Sequence, residues 1–332
     1  MIDWASSSVL VTGGTGSFGR KFAEVMLEAY RPRKLIVYSR DEWKQHDMRM
    51  GGFDHPSMRY FIGDVRDQDR LRRAMQDVDI VVHAAALKQV PTCEYNPIEA
   101  VATNISGARN VIDAALDSPV RHVLALSTDK ATAPLNLYGA TKLVSEKLFV
   151  HANHYNLDPV TRFSCVRYGN VLGSRGSVVP LFAEQKINGT IRVTDARMTR
   201  FWMTLEQGVR FVIACIERMQ GGEVFMPKLP SMKVVDLARV VAPEAEIQFT
   251  SIRPGEKLHE SLISAEESRS VVDVGDGYVM VPADQPWVVE SWEQQGERVP
   301  EGFAYASDTN DRWLTSDEMM ELIDATADVC HA

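Results

Sequence analysis

Short, almost unbroken apolar runs recur along the first half of the chain, and longer stretches with apolar residues at helical spacing separate them. SVLVTGG (8–14), KLIVYSR (34–40), MRYFIGD (58–64), DIVVHAAA (79–86), RHVLALST (121–128) and TRFSCVRYGN (161–170) read as six strands. SFGRKFAEVMLEAY (17–30), Pro97 to Leu116 and Tyr138 to Tyr155 read as helices between them. Strands that are apolar throughout, rather than at alternate positions, are covered on both faces, which is the signature of a parallel sheet. With right-handed crossovers this predicts an α/β, doubly wound parallel sheet.

The rhythm breaks after Arg167. GNVLGSRGSVVP (169–180) is a Gly/Ser-rich loop. A helix over Leu205–Met219 and a short strand over Glu223–Met226 resume the α/β style, and short, proline-rich segments follow. The pattern predicts a first domain over 1–167, with 205–227 contributing to it. A smaller, interleaved C-terminal substrate-binding lobe then takes 168–204 and 228–332. A last helix is expected near the C-terminus, with Ser316 as its N-cap.

Composition narrows the partners. The chain has 332 residues, a net charge of −9 and 45% hydrophobic residues. An acidic chain lacks the basic face that nucleic acid demands, so no nucleic-acid partner is expected. No stretch approaches 18 uninterrupted apolar residues, and the first residues carry no signal-peptide pattern, so no membrane partner is expected. Cys93, Cys165, Cys215 and Cys330 form no CxxC pair, which argues for reduced thiols, no metal centre and the cytoplasm.

The glycines after the first strand change the picture most. VTGGTGSFG places Gly13, Gly16 and Gly19 between a strand and a helix, with Thr15, Ser17 and Phe18 among them. Such a loop lets backbone N–H groups approach a pyrophosphate at the helix N-terminus, so a dinucleotide-binding Rossmann domain is expected. The spacing is G-x-x-G-x-x-G. The second strand ends in Ser39-Arg40, with Lys44 nearby. Arginine suits a 2′-phosphate, so NADP is favoured over NAD, although Asp41 is adjacent. Asp64 and Val65 close the third strand where an adenine would lie. Ala84, Ala85 and Lys88 follow the fourth and complete the cofactor edge, Lys88 facing both cofactor and sugar.

STDKATAPLNLYGATKL (127–143) follows the fifth strand. Tyr138 and Lys142 stand i,i+4 on one helix face. An ammonium near a phenol favours the phenolate and makes a base for a hydroxyl. Ser127 and Thr128 bring hydroxyls to the same edge, and Asp129-Lys130 adds an acid beside a base.

The order TGGTGSFG, STDK and YGATK resembles the extended short-chain dehydrogenase/reductases that act on nucleotide sugars. YSRDEWKQ, AAALKQVP, YGNVLGSRGSVVP, MTRFWMT and RPGEKLHE bring it closer still to the inverting UDP-N-acetylglucosamine 4,6-dehydratases of pseudaminic acid biosynthesis, over nearly the whole chain. The resemblance implies oxidation of sugar C4 with NADP, loss of water across C5 and C6, and return of the hydride to C6. It implies Tyr138 as base at the C4 hydroxyl, helped by Lys142, and Thr128 as a hydrogen-bond partner of that oxygen. Asp129 would be the acid at the C6 oxygen and Lys130, partly neutral, the base at C5. Retaining dehydratases of dTDP-glucose carry Asp-Glu at that pair. The membrane-bound retaining relatives carry Met in place of Tyr138.

On the substrate side the resemblance implies Lys88, Asn170, Thr199, Arg200, Arg253 for phosphate and Glu256 for the uridine ribose. It further implies a cytoplasmic homo-oligomer, a hexamer or dimer, serving flagellin glycosylation. A UDP-sugar 4-epimerase, which needs no Asp129-Lys130, and a non-catalytic NADP-sensing module remain the alternatives.

Overall fold

The computed structural model describes residues 2–155, 161–174 and 176–327. Cys330 lies outside them; Cys93, Cys165 and Cys215 are free and buried. The six expected strands are present as β1 (Ser8–Thr12), β2 (Lys34–Ser39), β3 (Met58–Ile62), β4 (Ile80–His83), β5 (His122–Leu126) and β6 (Arg162–Val166). All pair in parallel, in the order β3-β2-β1-β4-β5-β6. Val224–Pro227 adds a seventh parallel strand beside β6. Three antiparallel strands then extend the sheet: Gly277–Met280, Val271–Asp273 and Glu297–Arg298. These last three fall in the stretch assigned above to the smaller lobe. Short strands with polar ends carry too little apolar signal to reveal such pairing in advance.

The apolar runs fill both faces. Along β1, Val9 and Val11 pack in one core cluster with the helix Ser17–Val25 and the helix Leu205–Arg218, while Leu10 packs in the other. The second cluster holds the helices Gln68–Ala74, Gly107–Leu116 and Leu137–His151 against the opposite face. A third cluster, around Phe182, Ile191, Trp202 and Leu237, forms the core of the smaller lobe. A fourth joins Met226 and Tyr278 of the main sheet to Phe201, Leu262 and Tyr305, which seats the lobe on the sheet.

Register places the strand ends in a row. Thr12 pairs with Tyr38 and His83, His83 with Ala125, and Leu126 with Val166. The loops leaving these positions therefore share one edge. The helix Leu137–His151 begins one residue before the expected Tyr138, because Asn136 caps it by accepting the Gly139 N–H at 2.8 Å. The final helix, Ser316–Ala327, is capped by Thr315 rather than Ser316: Thr315 Oγ1 accepts the Glu318 N–H and the Glu318 carboxylate accepts the Thr315 N–H.

Candidate active site

Along the carboxyl edge of the sheet runs a cleft of about 690 Å³. This is where doubly wound sheets gather ligands, because the loops diverge there. Its walls are the loops after β1 to β5, the face of the helix Leu137–His151 that carries Tyr138 and Lys142, and the segment from Tyr168 through Val171. Thr128, Asp129, Lys130, Tyr138 and Lys142 all line it. So do Gly13, Thr15, Gly16, Ser17, Phe18, Ser39, Arg40, Lys44, Asp64, Val65, Ala84, Ala85, Lys88 and Asn170.

The first loop fits a dinucleotide phosphate. Gly13 sits at φ +67°, and a Cβ there would come within 2.9 Å of the Ala85 backbone. Only glycine leaves that space clear for a ligand between the loops after β1 and β4. Gly19 does not reach the cleft; it is the close-packing glycine, whose Cβ would lie 2.4 Å from Gly14 Cα. At the far end, the Arg40 guanidinium is largely exposed and stands 3.8 Å from Asp64, which is itself bound by Arg66 at 2.7 Å. Asp41 lines the same wall; its carboxylate accepts the Lys44 N–H at 3.0 Å, caps the helix Glu42–Met48 and pairs with Lys44 Nζ at 3.3 Å.

At the other end the acid–base groups converge. Thr128 Oγ1 donates to Asp129 Oδ1 at 2.9 Å. Lys130 Nζ donates to the same oxygen at 3.0 Å and stands 3.2 Å from Glu260 Oε1. Asp129 is buried, and its Oδ2 has no hydrogen-bond partner among the described residues. Asn170 Oδ1 is likewise buried without a partner. Unpaired acceptors at the wall of a cleft are costly unless something binds them there.

The local sequence makes this convergence possible. Gly139 follows Tyr138 on the helix, and a Cβ at Gly139 would meet Lys130 O at 2.1 Å. The absent side chain lets the Asp129-Lys130 turn press against the helix that carries Tyr138. Ala133 then takes φ 42°, in the left-handed region that L-residues adopt at a cost of about 1–2 kcal/mol. Thr132 holds the turn from behind. Its hydroxyl accepts from buried Arg167 at 3.0 Å, and its carbonyl accepts from Lys257 at 2.5 Å.

Several expected roles need correction. Lys130 is not poised as a neutral amine. Burial favours the neutral form, but the carboxylates of Asp129 and Glu260 outweigh it and the net direction is upward. Tyr138 is likewise held as the phenol. Burial pushes its pKa up to about 12, against Lys130 and the Thr128 hydrogen bond, which favour the phenolate. Lys130 is a cation that favours the Tyr138 phenolate, and burial lowers the pKa of Lys142. Thr199 and Arg200 do not line the cleft. Thr199 Oγ1 bonds His259 and Ser307, and Arg200 is spent on the carbonyls of Thr199, Lys257 and Leu258. Arg253 and Glu256 also lie outside its walls. The Glu256 carboxylate accepts the Arg253 N–H, and Gly255 O accepts from Asn136 at 2.8 Å, which ties this loop to the start of the Tyr138 helix.

Two residues escaped the sequence reading. Glu260 gave no signal, because its partner is 130 positions away. Gly139 gave one: a glycine inside a helical run usually marks a close contact.

Residues 9–282 match the model of a family described as polysaccharide biosynthesis proteins. A UDP-N-acetylglucosamine 4,6-dehydratase (inverting) from Campylobacter jejuni is 51% identical over 327 residues, 96% of this chain and 98% of that one. The chain belongs to the inverting UDP-N-acetylglucosamine 4,6-dehydratase family. Relatives of that family carry other names too. A protein named UDP-glucose 4-epimerase from Rickettsia bellii is 42% identical, over 85% of this chain and 84% of its own. Among solved structures, Pen from Bacillus thuringiensis superposes with a TM-score of 0.89 at 36% identity, covering 98% of this chain and 99% of Pen. DesIV, a dTDP-glucose 4,6-dehydratase from Streptomyces venezuelae solved with NAD and TYD bound, shares the fold at a TM-score of 0.70 and 19% identity, over 97% of each chain. Among the described residues, no helix is long and apolar enough to cross a membrane.

Proposed function

We propose that this chain dehydrates UDP-N-acetylglucosamine at C4–C6 with inversion at C5, giving UDP-2-acetamido-2,6-dideoxy-β-L-arabino-hex-4-ulose. The observation that carries the reading is the Lys130–Asp129 ion pair on the same cleft wall as Thr128 and Tyr138. A nicotinamide cofactor in the cleft supplies hydride acceptance from sugar C4 and hydride return at C6.

The side chains move the protons. Thr128 holds the C4 oxygen, and the phenolate form of Tyr138, the minor form at rest because burial favours the phenol, takes the proton of that hydroxyl. The resting ammonium–carboxylate pair is not yet reactive. One proton shift along the 3.0 Å Nζ–H···Oδ1 contact turns it into a neutral amine beside a carboxylic acid, the two states that elimination needs. The amine of Lys130 then takes the C5 proton, acidic because C4 has become a ketone. Asp129 gives its proton to the C6 oxygen, the C6–O bond breaks and water leaves. Lys130 and Asp129 end as the ion pair they began as. Tyr138 returns its proton to C5 from the other face, which inverts that centre and regenerates the phenolate. Each positioned acid or base contributes about 10²–10⁴-fold.

The reading extends to NADP, supported by Arg40 and Lys44 on the cleft wall and by the engagement of Asp41 as a helix cap. It also extends, on resemblance alone, to a cytoplasmic homo-oligomer whose product feeds pseudaminic acid and flagellin glycosylation. Arg253 and Glu256 belong to it on resemblance alone, as the residues expected at the phosphates and the uridine ribose.

The test is incubation with UDP-N-acetylglucosamine. A product lighter by one water and inverted at C5 by NMR supports the reading. A product of unchanged mass points instead to 4-epimerisation, the second reading favoured by the Rickettsia relative, and no turnover points to a sensing module.

A further inference from the structure

The geometry points to Glu260 as a positioning residue for the elimination. It holds Lys130 Nζ beside Asp129 from outside the cleft wall whose residues meet substrate. This rests on the dehydratase reading above and deepens it.

Glu260 ends the loop before the strand Ser261–Ile263 and is 1% exposed. It does not line the cleft, so it acts through Lys130. Its Oε1 stands 3.2 Å from Lys130 Nζ and 3.9 Å from Arg200 Nε. Its Oε2 is buried with no hydrogen-bond partner among the described residues. Its main chain is clamped to Ser307: the Glu260 N–H donates to Ser307 Oγ at 3.0 Å, and Glu260 O accepts the Ser307 N–H at 2.8 Å. A buried, half-satisfied carboxylate is expensive, and packing alone gives no reason for one here.

Charge bookkeeping supplies the reason. Asp129, Glu260 and Arg200 are buried and Lys130 is half-buried against them, two anions and two cations in contact, with the half-buried Lys257 beside them. When the Lys130 proton moves to Asp129, those two become neutral together and Glu260 keeps Arg200 as its counter-ion. No step leaves a lone charge in the protein interior. When Lys130 regains a proton from C5, Glu260 is already in place to receive the ammonium. Arg200 is fixed by three carbonyls, so Glu260 has a rigid backstop. The groups facing Lys130 are therefore Asp129, Glu260, Arg200, Lys257 and Tyr138.

The experiment uses the full chain with NADP and UDP-N-acetylglucosamine. It compares wild type with Glu260→Gln and Glu260→Asp in two readouts: the single-turnover rise of reduced nicotinamide, which follows C4 oxidation, and release of dehydrated sugar. For Glu260→Gln the expected result is an oxidation phase within about threefold of wild type and dehydration slowed about 100-fold, the scale of a misplaced reacting group. The limb of the dehydration pH profile that reports Lys130 moves to lower pH, because an anion that favours the ammonium is gone. Glu260→Asp recovers part of the rate. Unchanged dehydration and an unmoved limb would overturn the inference, as would equal loss of both phases. If Glu260→Gln does not fold, Glu260→Asp decides alone by the same split between phases. A wild-type protein that yields no dehydrated sugar sinks the parent reading and is distinguishable from either result.

Discussion

Lys130 O lies 2.1 Å from where a Cβ of Gly139 would stand. The Asp129-Lys130 turn and the helix that carries Tyr138 touch through a missing side chain. Gly139→Ala should force them apart, since backbone cannot yield as a flexible side chain does. The expected outcome is loss of dehydration by about 10²-fold with cofactor affinity kept, read by product mass and by cofactor titration.

Asp129→Asn and Lys130→Met should each abolish water loss while leaving C4 oxidation measurable. On the proposed mechanism the first removes the acid at the C6 oxygen and the second the base at C5. A fall of about 10²–10⁴-fold in dehydrated product, with reduced nicotinamide still formed, checks this. Loss of both signals together would assign the pair to substrate binding instead.

Tyr138 sets a pH dependence. Its pKa is raised to about 12 by burial, so the proton is held across the neutral range and the phenolate fraction grows as pH rises. C4 oxidation should climb with pH through neutrality, toward tenfold per unit where deprotonation limits. The limb should vanish in Tyr138→Phe along with the oxidation itself. A stopped-flow pH series reads both.

Arg40→Ala should weaken NADP about 10- to 100-fold and leave NAD nearly unchanged, because only the 2′-phosphate needs the guanidinium. Equilibrium titration with each cofactor gives the ratio.

Arg167 is fully buried and grips Glu146 at 2.6 Å and Glu267 at 2.7 Å. Arg167→Met should cost about 3–5 kcal/mol, because it strands the buried Glu146 carboxylate and the half-buried Glu267, read by denaturant unfolding. At Glu267 burial acts to raise the pKa, but the Arg167 hydrogen bond and charge prevail and the net direction is down. Its stabilising share is therefore present above the ordinary carboxylate range and is lost as pH falls through the lowered value. Without Arg167 that loss should begin at higher pH.

The sheet was legible because its strands are apolar on both faces, as Val9, Leu10 and Val11 show by packing into opposite clusters. Most of the cleft was legible for the same reason: loops that follow such strands end on one edge, which gathers Gly13, Arg40, Asp64, Lys88 and Thr128 from distant positions. What stayed hidden depends on contacts between halves of the chain. Glu260 meets Lys130 only after the lobe has docked, and Arg200 looks like a ligand-binding arginine until its carbonyl partners are seen. The resting ammonium of Lys130 was hidden too, because an isolated Asp-Lys dipeptide shows one carboxylate and the folded site shows two.

The turn that bears Asp129 and Lys130 is bolted from behind by Arg167 and Lys257 through Thr132, and Glu260 arrives from the same side as Lys257. Dehydration is therefore not portable as a two-residue graft. A scaffold without these contacts, given Asp-Lys at the matching place, would acquire the letters without the brace. A working transplant would have to bring the stretch from Lys257 to Leu262, and with it the docking surface of the lobe.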